Sequence, residues 1–302
     1  MVYRARNVNR VMPAFGLTIT EMQGNWAKHL RPVRGFIAHV GAGGEVEARV
    51  EVEPRRRGRV TFDVTRAYTT FPFGLAKKSV SFGAPASMVV HPVELRARGG
   101  LLKKLTVRAM SGAGAAVRPG LGDEFYGLRE YVDGDNPRQI AWRRSARTGQ
   151  MVVRQNTTPT PRSLWVVIRI PESAEMRLVE RAIAIAAALA RGAFREGASV
   201  GLAVPALGVE MRPRADARGL RLILDRLAVL DAGEAVAGQG FPTNLPGLIS
   251  NAVVHAGEID RAFGTPGTFH VAAGNPGDLL AGGEETARAL ALLDAVDTGA
   301  GE

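Results

Sequence analysis

No cysteine occurs in the 302 residues, which excludes disulfides, thiolate metal sites and thiol nucleophiles together. A chain without cysteine suits the cytoplasm. No apolar run approaches the roughly 20 residues that span a bilayer as a helix, and the basic start of the chain is not followed by the apolar core of a secretory signal. The expected location is therefore cytoplasmic or peripheral to the inner membrane. Catalytic patterns are missing too. The five histidines, His29, His39, His91, His255 and His270, lack the close His or Glu spacing of a metal motif, and no Gly-x-Ser-x-Gly elbow occurs. Gly41–Gly44 precedes a strand instead of opening a helix, and Gly112–Gly114 has no Gly-Lys-Ser/Thr ending, so neither is a nucleotide loop. Helix-turn-helix, zinc-finger and aromatic-basic RNA motifs are absent. These absences point to a protein that is not an enzyme and needs no cofactor or small-molecule substrate.

Charge is what the chain has in abundance. The formal net charge is +10, and it is unevenly placed: residues 1–160 carry 26 Lys and Arg against 12 Asp and Glu, and residues 161–302 carry 13 against 17. A basic half can meet an acidic protein, an anionic leaflet or nucleic acid. It can also be a solvated arginine-rich surface with no partner. The length suits two domains of ordinary size.

The first part reads as β structure. From Glu45 to Glu53, Val46, Ala48, Val50 and Val52 alternate with charged residues, the pattern of a half-buried antiparallel strand. After a turn at Pro54–Gly58, Val60, Phe62 and Val64 resume the alternation, so 45–65 is predicted to be a hairpin. Further strands are expected at 14–21, 34–40, 77–82, 86–91 and 104–109. Short strands separated by Gly and Pro imply a small β-sandwich, a spacer or interaction module.

The second part reads as α/β. Leu164–Ile168 is a continuous apolar run, as in a strand buried on both faces of a parallel sheet. Helices are predicted over 180–194, 219–230 and 284–296, with strands at 199–205 and 251–255. Strand and helix in that rhythm imply right-handed crossovers and a mostly parallel sheet. Residues 256–283, rich in Gly and Pro, are expected to be irregular, and 298–302 disordered.

Between these parts lies the densest pattern in the chain, residues 122–149. Glu124, Phe125, Leu128 and Tyr131 fall near helical spacing until Gly134-Asp135-Asn136-Pro137 breaks the period. Arg129, Arg138, Arg143, Arg144 and Arg147 can clamp Glu124, Asp133 and Asp135, in a loop packed under Phe125, Tyr131 and Trp142. They can equally reach a partner's acids or phosphates. Glu124 and Asp135 make a poor acid–base pair, because so many guanidinium groups would hold both ionised.

The pattern Glu124-Phe125, Leu128-Arg129, Tyr131, Gly134-Asp135, Arg138, Ile140, Trp142 and Ala146-Arg147 resembles the signature of the bacterial domain of unknown function 58 family. Phe71-Pro72-Phe73-Gly74-Leu75 is similar to that family's Asp-Pro-Phe-Gly-Leu turn, with Phe71 in place of the Asp, and Val89-Val90-His91-Pro92 to the strand that follows it. Ala141 stands where the family often has an acid. The likeness covers residues 1 to about 230 and implies an α+β protein of two domains. On it, 1–112 is a β-sandwich, 113–160 a charged signature segment, and 161–302 a von Willebrand factor A-like α/β domain.

The A-domain's metal site begins with an Asp-x-Ser-x-Ser pattern of hard oxygen ligands. Pro171, Ser173 and Glu175 stand at those positions here, so the resemblance implies a degenerate, metal-free site. It further implies a MoxR-type AAA+ ATPase as partner in assembly or maturation of other proteins, with this chain as an adaptor. Glu124, Phe125, Arg129, Tyr131, Asp135, Arg138, Trp142, Arg143 and Arg147 are the signature residues that either contact the partner or hold the fold. A basic membrane-surface or cell-envelope scaffold is the first alternative function and a nucleic-acid-binding protein the second.

Overall fold

The computed structural model of the chain describes residues 1–100, 105, 119–157, 163–231, 250–264 and 268–295. Its first part consists of two antiparallel sheets. β1 (Val2–Arg6) pairs with β4 (Glu45–Arg49). β2 (Ala14–Gln23), β3 (Arg34–Val40), β5 (Gly58–Thr69) and β6 (Lys78–Val90) form the second sheet in the order β3-β2-β5-β6, and a single-turn helix, α1 (Trp26–His29), links β2 to β3. Ile19, Ile37, Val40 and Ala48 are buried between the sheets with Tyr3 and Val46 against them. The predicted faces are therefore right in β4, since Ala48 is buried while Glu45, Glu47 and Arg49 are exposed. A second small core, Leu30, Val33, Val60, Phe62 and Val90, closes under Trp26.

The predicted 45–65 hairpin is not formed. β4 pairs with β1, and β5 pairs with β2 and β6. Alternation reports which face of a strand is buried but says nothing of its neighbour. The expected strands at 77–82 and 86–91 are one strand, β6, bent by a bulge in its ladder with β5 between Phe62 and Val64. The expected strand at 104–109 lies outside the described residues, apart from Leu105.

β7 (Pro119–Glu130) and β8 (Val152–Thr157) form a two-stranded sheet with α2 (Trp142–Thr148) between them. The rest is α/β: β9 (Ser163–Arg169), α3 (Met176–Arg195), β10 (Ser199–Val204), β11 (Val209–Arg214), α4 (Ala217–Ala228), β12 (Ser250–His255), β13 (Phe269–Ala272) and α5 (Glu284–Ala295). Its sheet runs β11-β10-β9-β12-β13, parallel from β10 to β13, with β11 antiparallel on one edge. β11 was not predicted, and β13 fell in the stretch expected to be irregular; four to six residues are too short a run for periodicity to declare.

β9 sits mid-sheet, and Leu164–Ile168 are all fully buried, which is why the run has no polar alternation. Leu164, Val166 and Ile168 pack with the alanine-rich inner face of α3, while Trp165 and Val167 cluster with Ala203 and Val253. Gly201 lies opposite Trp165, and a Cβ there would come within 2.9 Å of the indole ring, so the glycine makes room for the largest buried side chain. Leu95 and Leu105 are buried in the same core as α3.

Two polar contacts fasten the antiparallel sheets to the α/β part. Arg57, just before β5, sends its guanidinium to Glu180 on α3, with donor–acceptor distances of 2.7 and 2.8 Å. It also donates to the carbonyls of Leu227, Ala228 and Leu230 at the end of α4. Those carbonyls have no partner within the helix, and a cation at a helix C-terminus also meets the negative end of its dipole. His91 lies 2.6 Å from Asp225 of α4. No helix among the described residues is long and apolar enough to cross a membrane.

Candidate functional site

The signature segment is built on the β7–β8 ladder, in which Leu128, Arg129 and Glu130 face Arg154, Val153 and Val152. The stretch predicted at helical spacing is thus a strand. Its backbone is committed to β8, and the apolar positions that looked helical are too few to overrule that pairing. After β7 the chain turns through Gly134 at φ 103°, and the Asn136 side chain accepts from the Arg138 amide at 3.0 Å to start a short 3₁₀ turn at Pro137. α2 follows and ends at Gly149 in the left-handed conformation, whose amide returns to the Ser145 carbonyl at 3.0 Å.

The inner side of this unit is closed. Ile140 and Val153 are buried, and the Ser145 hydroxyl accepts from the Val152 amide at 3.0 Å, tying α2 to β8. Arg129 clamps Asp135 through both nitrogens, and Asp135 also accepts from the Val132 amide at 2.9 Å. The guanidinium first, and the amide second, hold the Asp135 carboxyl below its ordinary range, while the same pairing raises the Arg129 guanidinium further. This one pair latches the turn, as a fold-holding arginine would.

The other arginines do something else. Arg138, Arg143, Arg144 and Arg147 are exposed, and their guanidinium groups have no ion-pair or hydrogen-bond partner among the described residues. Asp133, which they were expected to clamp, is likewise exposed. Trp142 does not roof the loop as predicted: it is 63% exposed, because Ser145 is the side of α2 that faces β8 and Ile140 with Val153 already fill the seat. Tyr131 is half-buried. Val132 and Met151 are exposed as well. The Glu124 and Phe125 side chains lie outside the described residues, although their backbone belongs to β7. The result is a unit that presents to solvent an indole, two smaller apolar side chains and four cations without a partner among the described residues.

A second polar group lies at the C-terminal ends of the adjacent parallel strands β9 and β12. Arg169, ending β9, pairs with Asp260 at 3.0 Å and lies over the Phe263 ring. His255, ending β12, is fully buried, with Nε2 2.9 Å from Nδ1 of His270 on β13. Burial foremost, then the neighbouring His270 and Arg169, push the His255 pKa down to about 4, with Asp260 pulling the other way. His255 is therefore neutral at neutral pH.

Sequence reading gave this pair no weight. The two histidines are 15 residues apart, and only the parallel register of β12 and β13 brings them together. Nearby, Pro171, Ser173 and Glu175 occupy the loop from β9 to α3. Pro171 packs near Gly257, Ser173 is exposed, and Glu175 pairs with Arg177 at 3.2 Å. No group of three or more His, Asp or Glu side chains among the described residues is placed to hold a metal ion.

Residues 127–241 match the family model described as Protein of unknown function DUF58. The match takes in the end of β7, the whole Arg129–Asp135 turn, α2 and the chain through α4; the likenesses at 71–75 and 89–92 precede it. No curated protein and no solved structure matches the chain. The signature residues from Leu128 to Arg147 thus stand at the head of the segment, 127–241, that matches the DUF58 family model.

Proposed function

We propose that the chain is a non-enzymatic adaptor that docks an acidic protein surface on the face of α2, and that the partner is a MoxR-type AAA+ ATPase acting in assembly or maturation of other proteins. The ATPase then supplies the energy and this chain the recognition. The observation that carries this reading is Trp142, 63% exposed on α2 among four arginines with no partner among the described residues. Exposing an indole forgoes the free energy of burying it, and Trp and Arg are the side chains most enriched at the energetic centres of protein interfaces. The naming of an AAA+ partner rests on the family resemblance. So does the finer fold assignment, a degenerate von Willebrand factor A-like domain on a cytoplasmic or peripheral protein. The parallel order β10-β9-β12-β13 and the loop carrying Pro171 in place of an acidic ligand support it.

The test is a titration of the chain against the purified MoxR-type ATPase of its source organism. Trp142→Ala should weaken binding by tenfold or more, since central aromatic anchors cost about 2 kcal/mol when truncated. Arg143→Glu with Arg147→Glu should weaken it further while leaving the melting temperature near that of the parent. Binding indifferent to both changes, or no binding at all, would remove this reading.

A further inference from the structure

The far end of the antiparallel sheets carries a feature that the adaptor reading does not use and that stands independently of it. The loop joining β5 to β6 presents Phe71, Phe73 and Leu75 at 57, 82 and 91% exposure, and the loop joining β1 to β2 presents Val8, Val11 and Met12 at 89, 85 and 65%. Scattered exposed apolar residues are ordinary, but six on two loops are a patch.

The loops belong to one end of the fold. Thr69, at the end of β5, donates to the Phe15 carbonyl at 2.7 Å, and the Phe15 and Phe71 rings lie 4.9 Å apart. Asn7 donates to the Met12 carbonyl at 2.8 Å and to Gly41 at 3.2 Å, and the Gly43 amide donates to Asn9 at 2.8 Å. The first loop, the β3–β4 loop and the end of β2 are thereby tied together.

Charge in the three loops is of one sign. Residues 7–13, 41–44 and 70–78 include Arg10, Lys77 and Lys78 and no Asp or Glu. Lys77 is held over the Tyr68 ring at 3.8 Å, at the root of the β5–β6 loop. Part of the loop backbone is also provided for internally. The Asn9 side chain accepts from the amides of Val11 and Met12, Asn7 accepts from Asn9, and the Gly74 amide returns to Thr70 at 2.7 Å. Backbone groups already paired need not be left unsatisfied when water is removed, which is the condition for entering the interfacial layer of a bilayer.

The geometry points to an anionic membrane surface as the occupant of this end: Phe71, Phe73 and Leu75, with Val11 and Met12 beside them, enter the boundary between headgroups and acyl chains, while Arg10, Lys77 and Lys78 meet the lipid phosphates. Exposed apolar side chains with cations in the same loops match an anionic leaflet in both chemistry and sign. Apolar insertion and charge then act together, as stable peripheral binding requires.

The experiment is co-sedimentation of the full chain with vesicles of phosphatidylcholine alone or mixed with phosphatidylglycerol, at low and high salt. Binding is expected only with the anionic lipid and should fall as salt rises. Phe73→Ser with Leu75→Ser should lower it by at least about tenfold, and Lys77→Gln and Lys78→Gln by about fivefold each, all four being surface changes that leave the fold intact. Because the chain has no cysteine, Leu75→Cys gives a unique site for an environment-sensitive dye. Its emission should shift to the blue and resist aqueous iodide on anionic vesicles, while a dye on Thr148→Cys should do neither.

Vesicle binding that survives Phe73→Ser with Leu75→Ser unchanged would overturn the proposal, since charge alone would then suffice. So would a dye at Leu75→Cys that stays open to iodide. Dissociation of a self-associated species by the same double change, with no effect on vesicle binding, would make this end a contact between copies of the chain and overturn it too.

Discussion

Arg57 is the residue whose loss should cost most for its size. Its side chain is 9% exposed and that of Glu180 16%, and five donor–acceptor contacts between 2.7 and 3.0 Å hold the guanidinium between α3 and the end of α4. Arg57→Ala leaves a nearly buried carboxylate without its counter-charge and three helix-end carbonyls without a donor. Removing one partner of such a pair costs roughly 3–5 kcal/mol. Glu180→Ala should cost less, because the guanidinium keeps its three carbonyls. The double variant should then be less destabilised than the sum of the singles by about 1–3 kcal/mol. Arg57→Lys should recover only a minor part, since an ammonium lacks the planar fork that serves a carboxylate and three carbonyls at once. Urea unfolding of the full chain and the three variants at neutral pH measures the cycle, and repeating it at high salt should change the coupling little, buried pairs being weakly screened. Single losses under about 1 kcal/mol that simply add would refute the latch and leave the contact a surface ornament.

Two further outcomes follow from buried polar groups. His255 has a folded-state pKa near 4 against an ordinary 6.5, so the unfolded chain binds the extra proton across that window. Its contribution is complete above pH 6.5 and is lost as pH falls through 4, for a total of roughly 3 kcal/mol; stability curves at pH 7 and pH 4.5 should converge in His255→Asn. In the antiparallel part, Glu21 is buried and accepts from the Tyr3 hydroxyl at 2.7 Å and from Thr65 at 3.0 Å. Burial and the Glu21 carboxylate both hold the Tyr3 phenol protonated. Tyr3→Phe should destabilise by about 1–3 kcal/mol in thermal or urea unfolding, the cost of removing a donor from a buried charged acceptor.

Much of the architecture was legible from spacing. The apolar run Leu164–Ile168 declared a strand covered on both faces, and the apolar pattern through Ile183, Ala186 and Leu189 declared a helix, because both signals are local; that this helix is buried all round from Ala182 to Ala190 is a matter of its packing. The residues of the signature segment were legible as a cluster too, since Arg129 through Arg147 lie within a single stretch of chain.

Local pattern determines which element forms and which of its faces is apolar, because backbone geometry repeats every 2.0 or 3.6 residues whatever lies elsewhere. It does not determine neighbours or direction. Only the tertiary structure decided that β4 pairs with β1, that Arg129 turns to Asp135 while Arg138, Arg143, Arg144 and Arg147 face solvent, and that Trp142 stands outside a seat already filled by Ile140 and Val153. His255 meets His270 through strand register, and Arg57 reaches Glu180 across 123 residues of chain. Those contacts depend on the packing of distant segments, and an amino-acid sequence carries no short-range mark of which distant segment will arrive.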